Sequence, residues 1–249
     1  MFKKVVSGII ALIALAVLVF ALWQVLMPRM AQEEAVNFYN DLQPYVLRGD
    51  ECLSAIPFKD IDWDSLRAIN ADIIAWIYLP NTPIDYPVIR ADCYTFWLNH
   101  LPDRTWNANG SIFLDFNHSP DFSSPLSVLF GHNMFSGIMF NAVERYREQS
   151  FFDEHPHVFL YTPDKSFRVD VAYGFVLNAV HWGTYSLAFE ENLEVFLDKA
   201  RRRSTFESDV ELSHESGHIL GLSTCTSHSN FYRYILLGDM VQCRYPCCY

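Results

Sequence analysis

Basic residues are scarce in this 249-residue chain: 18 Lys and Arg stand against 29 Asp and Glu, a formal net charge of −11. So acidic a surface repels phosphate backbones, which argues against nucleic acid as a partner. There is no internal repeat, collagen-like period or low-complexity tract, and this excludes solenoid and fibrous architectures. The six cysteines (Cys52, Cys93, Cys225, Cys243, Cys247 and Cys248) form no paired C-x-x-C units, which excludes a zinc ribbon. Disulfide, metal capture or no role at all stay open for the adjacent Cys247 and Cys248. No aspartate-rich loop of the EF-hand kind occurs, and no cofactor is expected.

Aromatic residues are abundant, with 20 Phe, 13 Tyr and 6 Trp. They bury large areas and suit a strand-rich core or a substrate groove. The first thirty residues stand apart: they hold Lys3, Lys4 and Arg29 and no carboxylate. An apolar run from Val5 to Met27 is broken only by Ser7, Gly8 and Gln24, and ~20 residues suffice to cross a bilayer core. The paired lysines favour a cytoplasmic N-terminus. Ala14-Leu15-Ala16 offers a cleavage pattern for a secretory signal, but it lies inside the run, and signal h-regions span only ~7–15 residues. The expectation is a single-pass anchor over residues 1–30, a helical segment over 31–70 and a β-barrel over 71–249, both outside the cytoplasm.

Residues 31–48 carry apolar side chains at helical spacing (Ala35, Phe38, Tyr39, Leu42), ending near Gly49. Asp62 opens a short helix that ends near Asn70. Eight strand candidates follow: 73–79, 84–89, 111–115, 126–132, 158–161, 167–179, 218–224 and 231–242. Helices are expected at 140–148 and 190–203, the latter with Leu193, Phe196, Leu197 and Ala200 on one face. Many short strands separated by turn signals predict a mostly β fold, a closed or nearly closed barrel.

Three residues at strand ends carry potential chemistry. Cys225 closes an apolar strand beside a polar loop, where a nucleophile is both fixed and reachable. His132 follows Leu129-Phe-Gly and supplies the acid/base partner a thiol needs. Arg233, eight positions after Cys225, offers fixed donors to a carbonyl or developing oxyanion. Each alone reads as an ordinary structural cysteine, satisfied histidine or surface ion pair. A competing pattern, His214-Glu-Ser-Gly-His218, satisfies H-E-x-x-H. Thr224 stands where the longer zinc motif needs its third histidine. Ser216 and Gly217 are also poor formers of the helix that motif requires, so no metal site is expected.

Leu222-Ser-Thr-Cys225 with downstream Arg233 resembles the signature of the sortase family, and Leu129-Phe-Gly-His-Asn-Met134 is similar to that family's histidine segment. Residues 75–89, Gly110–Asp115, Met139-Phe-Asn and the helix before the cysteine strand resemble class B, so the likeness runs from about Asp62 to Gln242. The tail from Cys243 to Tyr249 has no counterpart in that pattern. The resemblance implies a membrane-bound, Gram-positive cysteine transpeptidase. Cys225 would attack the carbonyl of a threonine in a C-terminal sorting signal on a secreted protein, giving a thioacyl intermediate. A peptidoglycan amine or a pilin lysine would then take the acyl group. His132 would act as acid and base, Arg233 would hold substrate and oxyanion, and Ser223, Thr224 and Thr226 would line the substrate. Unperturbed Cys and His have pKa values of ~8.5 and ~6.5, so the neutral pair would dominate near neutrality. The alternatives are a cysteine protease that uses water in place of the amine, and a non-catalytic anchored barrel that only binds.

Overall fold

A computed structural model describes residues 2–48, 59–179, 189–213 and 217–243. Gly49, Cys52, His214, Glu215, Cys247 and Cys248 lie outside the described residues. Helix α1 (Phe2–Leu42) runs without a break from the apolar segment into the amphipathic one, with Pro28 inside it. Side chains 6–30 are exposed, whereas Ala35, Tyr39 and Leu42 are buried against the rest of the chain. Two amides fix the helix at the point where it meets the barrel: Asn107 and Asn109 Nδ2 donate to the Ala31 carbonyl at 2.9 and 3.1 Å. Further along, Tyr39 donates its hydroxyl to the Gly110 carbonyl at 2.8 Å. A small two-stranded sheet follows, β1 (Val46–Arg48) with β2 (Lys59–Ile61). Asp62 then caps α2 (Trp63–Ile69) by accepting the Ser65 N–H at 3.0 Å.

The remaining strands are β3 (Ile73–Tyr78), β4 (Asp85–Arg90), β5 (Ile112–Leu114), β6 (Leu126–Phe130), β7 (His157–Tyr161), β8 (Ser166–Asn178), β9 (Ile219–Thr226) and β10 (Ser229–Cys243). They close into a barrel in the order β10-β8-β7-β3-β4-β5-β6-β9. All eight expected strands are present, and closure leaves none of them as an unpaired edge. Helix α3 (Tyr94–Trp97) lies between β4 and β5, and α4 (Asn141–Glu144) and α5 (Gln149–Glu154) lie between β6 and β7. Helix α6 (Phe189–Arg203) precedes the cysteine strand. Its Leu193, Phe196, Leu197 and Ala200 pack on Phe175, Ile219, Ile235 and Leu237, covering one face of β8–β10. The opposite face of β9 and β10 contributes Leu220, Leu222, Tyr234 and Leu236 to the main core.

Several features differ from the sequence expectation: α3 and α5 are additional helices, α1 ends at Leu42 rather than near Gly49, and β10 begins at Ser229, inside the expected polar loop. Strand β6 ends at Phe130 rather than His132, because the chain turns polar and begins a tight loop there. The β1–β2 pair lies outside the expected strands: Val46–Arg48 falls in the segment read as helix, and Lys59-Asp60-Ile61 has no apolar run like that of the three-residue β5.

Candidate active site

The register of β6, β9 and β10 assembles the predicted residues. Strands β9 and β10 are antiparallel, with Cys225 directly opposite Arg233. Strands β6 and β9 are parallel, with Phe130 opposite Ser223. The Gly131 N–H still donates to the Ser223 carbonyl at 3.2 Å, so the ladder continues past the strand end and sets His132 abreast of Cys225. With neighbouring strands ~4.8 Å apart, His132, Cys225 and Arg233 stand side by side on three adjacent segments, the thiol in the middle. Alternation puts Ser223, Cys225 and Arg233 on the face that α6 covers further along. Thr224 and Thr226 fall on the other face: Thr224 Oγ1 donates to the Gly131 carbonyl at 2.9 Å, and Thr226 Oγ1 to the Ser229 carbonyl at 2.9 Å. Of the residues expected to line the substrate, Ser223 alone shares the thiol's face, and its buried Oγ has no hydrogen-bond partner among the described residues.

Gly131 is required by the close approach of its surroundings. A Cβ there would run into the Ile112 side chain and lie 2.8 Å from the Phe140 ring. The loop after it closes on itself: Phe140 N–H donates to the His132 carbonyl at 2.9 Å and Gly137 N–H to Met134 at 2.9 Å. Buried Met139 adopts φ +58°, a conformation costly for a long side chain, and Tyr86 Oη accepts its N–H at 3.2 Å. The segment carrying His132 is thereby fixed at both ends.

His132 Nε2 lies 2.8 Å from the Leu98 carbonyl oxygen. A carbonyl can only accept, so Nε2 carries the hydrogen, and Nδ1 is the nitrogen that gains or loses a proton. Burial is the largest influence on this imidazole and pushes its pKa down; the Leu98 bond opposes it, and the Arg233 charge adds to it. The imidazole is therefore predominantly neutral at pH 7. Leu98 is itself held close, because Gly110 at φ +60° approaches so near that a Cβ would stand 2.6 Å from the Leu98 oxygen.

A second set of groups, missed in the sequence, holds the backbone at and just after Cys225. Asn133 Nδ2 donates to the Cys225 carbonyl at 2.9 Å and to Glu144 Oε2 at 2.6 Å, and its Oδ1 accepts from Asn141 Nδ2 at 2.8 Å. Glu144 Oε2 also accepts the Ser227 N–H at 2.8 Å, and Arg147 lies 3.2 Å from Oε1. An acid on a short helix reads as solvent-facing in sequence, yet Glu144 is only 9 % exposed. The one available signal was the place of Asn133 directly after His132.

Among the described residues, no group of three or more His, Cys, Asp or Glu is placed to hold a metal ion. His218, the last residue of the H-E-x-x-H pattern, precedes β9 with Nδ1 3.3 Å from the Ser124 carbonyl.

No protein-family model matches the sequence, but individual proteins do. Sortase B of Staphylococcus aureus is 30% identical over 165 residues, covering 66% of this chain and 67% of that protein. The chain belongs to the sortase B family. Sortase B of Listeria monocytogenes is 22% identical over 245 residues, covering 96% of this chain and 98% of that protein. The crystal structure of S. aureus sortase B superposes with a TM-score of 0.66 at 27% identity, over 73% of this chain and 87% of that one. A sortase B–substrate complex from the same organism matches with the same TM-score and identity, over 72% of this chain and 84% of that one. Sortases are cysteine transpeptidases, and the closed eight-stranded barrel is the architecture these relatives share with this chain.

Proposed function

We propose that this protein is a membrane-anchored transpeptidase in which Cys225 is the nucleophile, His132 the acid and base, and Arg233 the oxyanion and substrate donor. The observation that carries this reading is the register that aligns the three on adjacent segments with the thiol in the middle. Cys225 Sγ, as thiolate, attacks the threonine carbonyl of a sorting signal on a secreted protein. The tetrahedral oxyanion is stabilised by Arg233, whose guanidinium presents fixed donors. Collapse breaks the C–N bond, and the departing amine takes a proton from His132 Nδ1. The thioester is then attacked by an amine, which returns a proton to Nδ1, and the thiolate leaves as a new amide forms. Ser223 Oγ, on the thiol's face and without a hydrogen-bond partner among the described residues, is the group best placed to bind the substrate backbone.

The neutral His132 favoured by burial makes the thiolate–imidazolium pair a minority state, so the rate should follow a bell-shaped pH profile belonging to the coupled pair. The apolar part of α1 is long enough to cross a membrane. On this reading it anchors the barrel on the outer side with a cytoplasmic N-terminus, which accords with Lys3 and Lys4. The acceptor is a cell-wall amine or a pilin lysine.

The test is to incubate the protein lacking residues 1–30 with fluorogenic Pro-x-Thr peptides, with and without an added amine, and to identify products by mass spectrometry. Cleavage after Thr with amide formation in the amine's presence is the expected result. Hydrolysis alone, at a rate indifferent to amine, points to a protease. Turnover retained in Cys225→Ala overturns the assignment of the nucleophile.

A further inference from the structure

Glu144 is a buried carboxylate that the acyl-transfer chemistry does not use, and it lies directly behind the site. Its Oε2 accepts two N–H groups, from Asn133 Nδ2 at 2.6 Å and from the Ser227 backbone at 2.8 Å. Those donors belong to the two segments whose separation matters most. Asn133 directly follows His132, and Ser227 is two residues past Cys225. Asn133 spans the same gap a second time by donating to the Cys225 carbonyl at 2.9 Å. Its amide is fully committed, both hydrogens to Glu144 and Cys225 and its oxygen to Asn141, so it has one orientation only. Hydrogen bonds to an ionised acceptor are shorter and about twice as strong as neutral ones. A single carboxylate oxygen therefore fixes both the loop that carries His132 and the chain leaving Cys225. The Arg147 guanidinium, 3.2 Å from Oε1, offsets the cost of burying that charge.

We infer that Glu144 and Asn133 form a clamp that sets the position of His132 relative to Cys225, making both positioning residues for acyl transfer. The inference rests on the transpeptidase reading above, but its geometry concerns only the thiol and the imidazole. The clamp acts in the proton transfers and in supporting the thiolate, since its bonds go to the Cys225 carbonyl and the Ser227 N–H and not to Ser223. A stitch that merely keeps the loop folded would instead give loss of stability with no separate effect on the thiol–imidazole pair.

The test uses the full chain in detergent micelles, comparing Glu144→Ala, Glu144→Gln, Asn133→Ala and the Glu144→Ala/Asn133→Ala double variant. Two readouts are taken: kcat and KM for transfer, and the rate at which iodoacetamide alkylates Cys225 between pH 5 and 9, followed by peptide mapping. Glu144→Ala should lower kcat about 10- to 100-fold while KM moves less than about threefold, the pattern of a group acting on the chemical step. Its alkylation profile should approach that of His132→Ala. Glu144→Gln keeps an acceptor for both N–H groups and should recover most of kcat. The double variant should be no worse than the poorer single, because both break one unit. The inference is overturned if kcat in Glu144→Ala stays within about twofold of wild type. It is equally overturned if kcat falls only in step with the folded fraction while the alkylation profile is unchanged. Should Glu144→Ala not fold, Asn133→Ala decides by the same two readouts. If wild type transfers no peptide at all, the transpeptidase reading has failed, and the alkylation comparison still decides the clamp.

Discussion

Strands β8 to β10 carry ionisable groups at both ends, about 20 Å apart along β9, and the two ends treat them differently. At the end remote from the thiol, Asp170 is saturated. Arg168 grips it with Nε at 2.6 Å and Nη2 at 2.9 Å, and His157 Nδ1 lies 2.9 Å away. Asp239, opposite Asp170 on β10, is pushed above the usual carboxylate range first by burial and then by the Asp170 charge. Asp170 is thus ion-paired with Arg168, while its charge still disfavours ionisation of Asp239. At the thiol end the nearby carboxylate, Glu144, is occupied by backbone and amide N–H groups, and the cationic Arg233 stands across from a thiol. An ion-paired cluster contributes to holding strands together. At the thiol end Glu144 is ion-paired with Arg147, while Arg233 stands opposite the sulfur in register, and a cation set beside a nucleophile is suited to chemistry.

The largest effect that could break this contrast comes from exchanging the roles of the two ends. Cys225→Ala should abolish transfer, at least about 10³-fold, while leaving the melting temperature nearly unchanged. Asp170→Asn should do the reverse. It weakens the Arg168 fork and the His157 contact, which should cost about 1–2 kcal/mol of stability, with kcat/KM within about twofold of wild type. Denaturant titration and steady-state kinetics on both variants check this, and a strong activity loss in Asp170→Asn would erase the distinction. Next in size is Arg233→Gln. Loss of an oxyanion donor typically costs about 10²–10³ in rate. The same variant should raise the His132 pKa, because Arg233 is one of the causes holding it down. Imidazole NMR titration in a Cys225→Ala background, which removes the coupled thiol, reads that shift. An unchanged or lowered His132 pKa would show that the guanidinium does not act on the imidazole.

The barrel was largely legible because short apolar runs bounded by Pro, Asn and Gly turns are local signals, which even the continuously buried β5, β6 and β9 carry. Cys225, His132 and Arg233 were legible as strand-end residues, but their convergence was not. That depends on β6 and β9 being parallel neighbours, a pairing made across the whole β7–α6 excursion. Thr224 shows the cost of reading by proximity in sequence: it adjoins Cys225, yet alternation turns it to the opposite face and onto Gly131. Glu144 was illegible for the complementary reason. Its partners Asn133 and Ser227 lie 11 and 83 positions away, and nothing local distinguishes a carboxylate aimed at buried N–H groups from one in solvent.

The smallest expected effect compares the two ends through pH. His132 at the thiol end and His118 at the remote end are both held below 6.5, in each case chiefly by burial, with Asp115 opposing it at His118. A buried neutral histidine binds its proton less readily folded than unfolded, so the unfolded state takes up more protons as pH falls below about 6.5. Stability is therefore full above that pH and declines as pH falls through the folded values. Asp239 has the opposite sign. Its raised pKa contributes stability below 3.8 that is lost as pH rises through its folded value, so Asp239→Asn serves as the background in which the histidines are read. In that background the urea midpoint should drop between pH 7.5 and 5.5. His118→Gln and His132→Gln should each remove a share of that drop, since each deletes one titration. At both sites one influence opposes burial, the Leu98 bond at His132 and the Asp115 charge at His118, so each share is only part of what burial alone would give. A midpoint drop that neither substitution reduces would show that burial does not hold these histidines neutral.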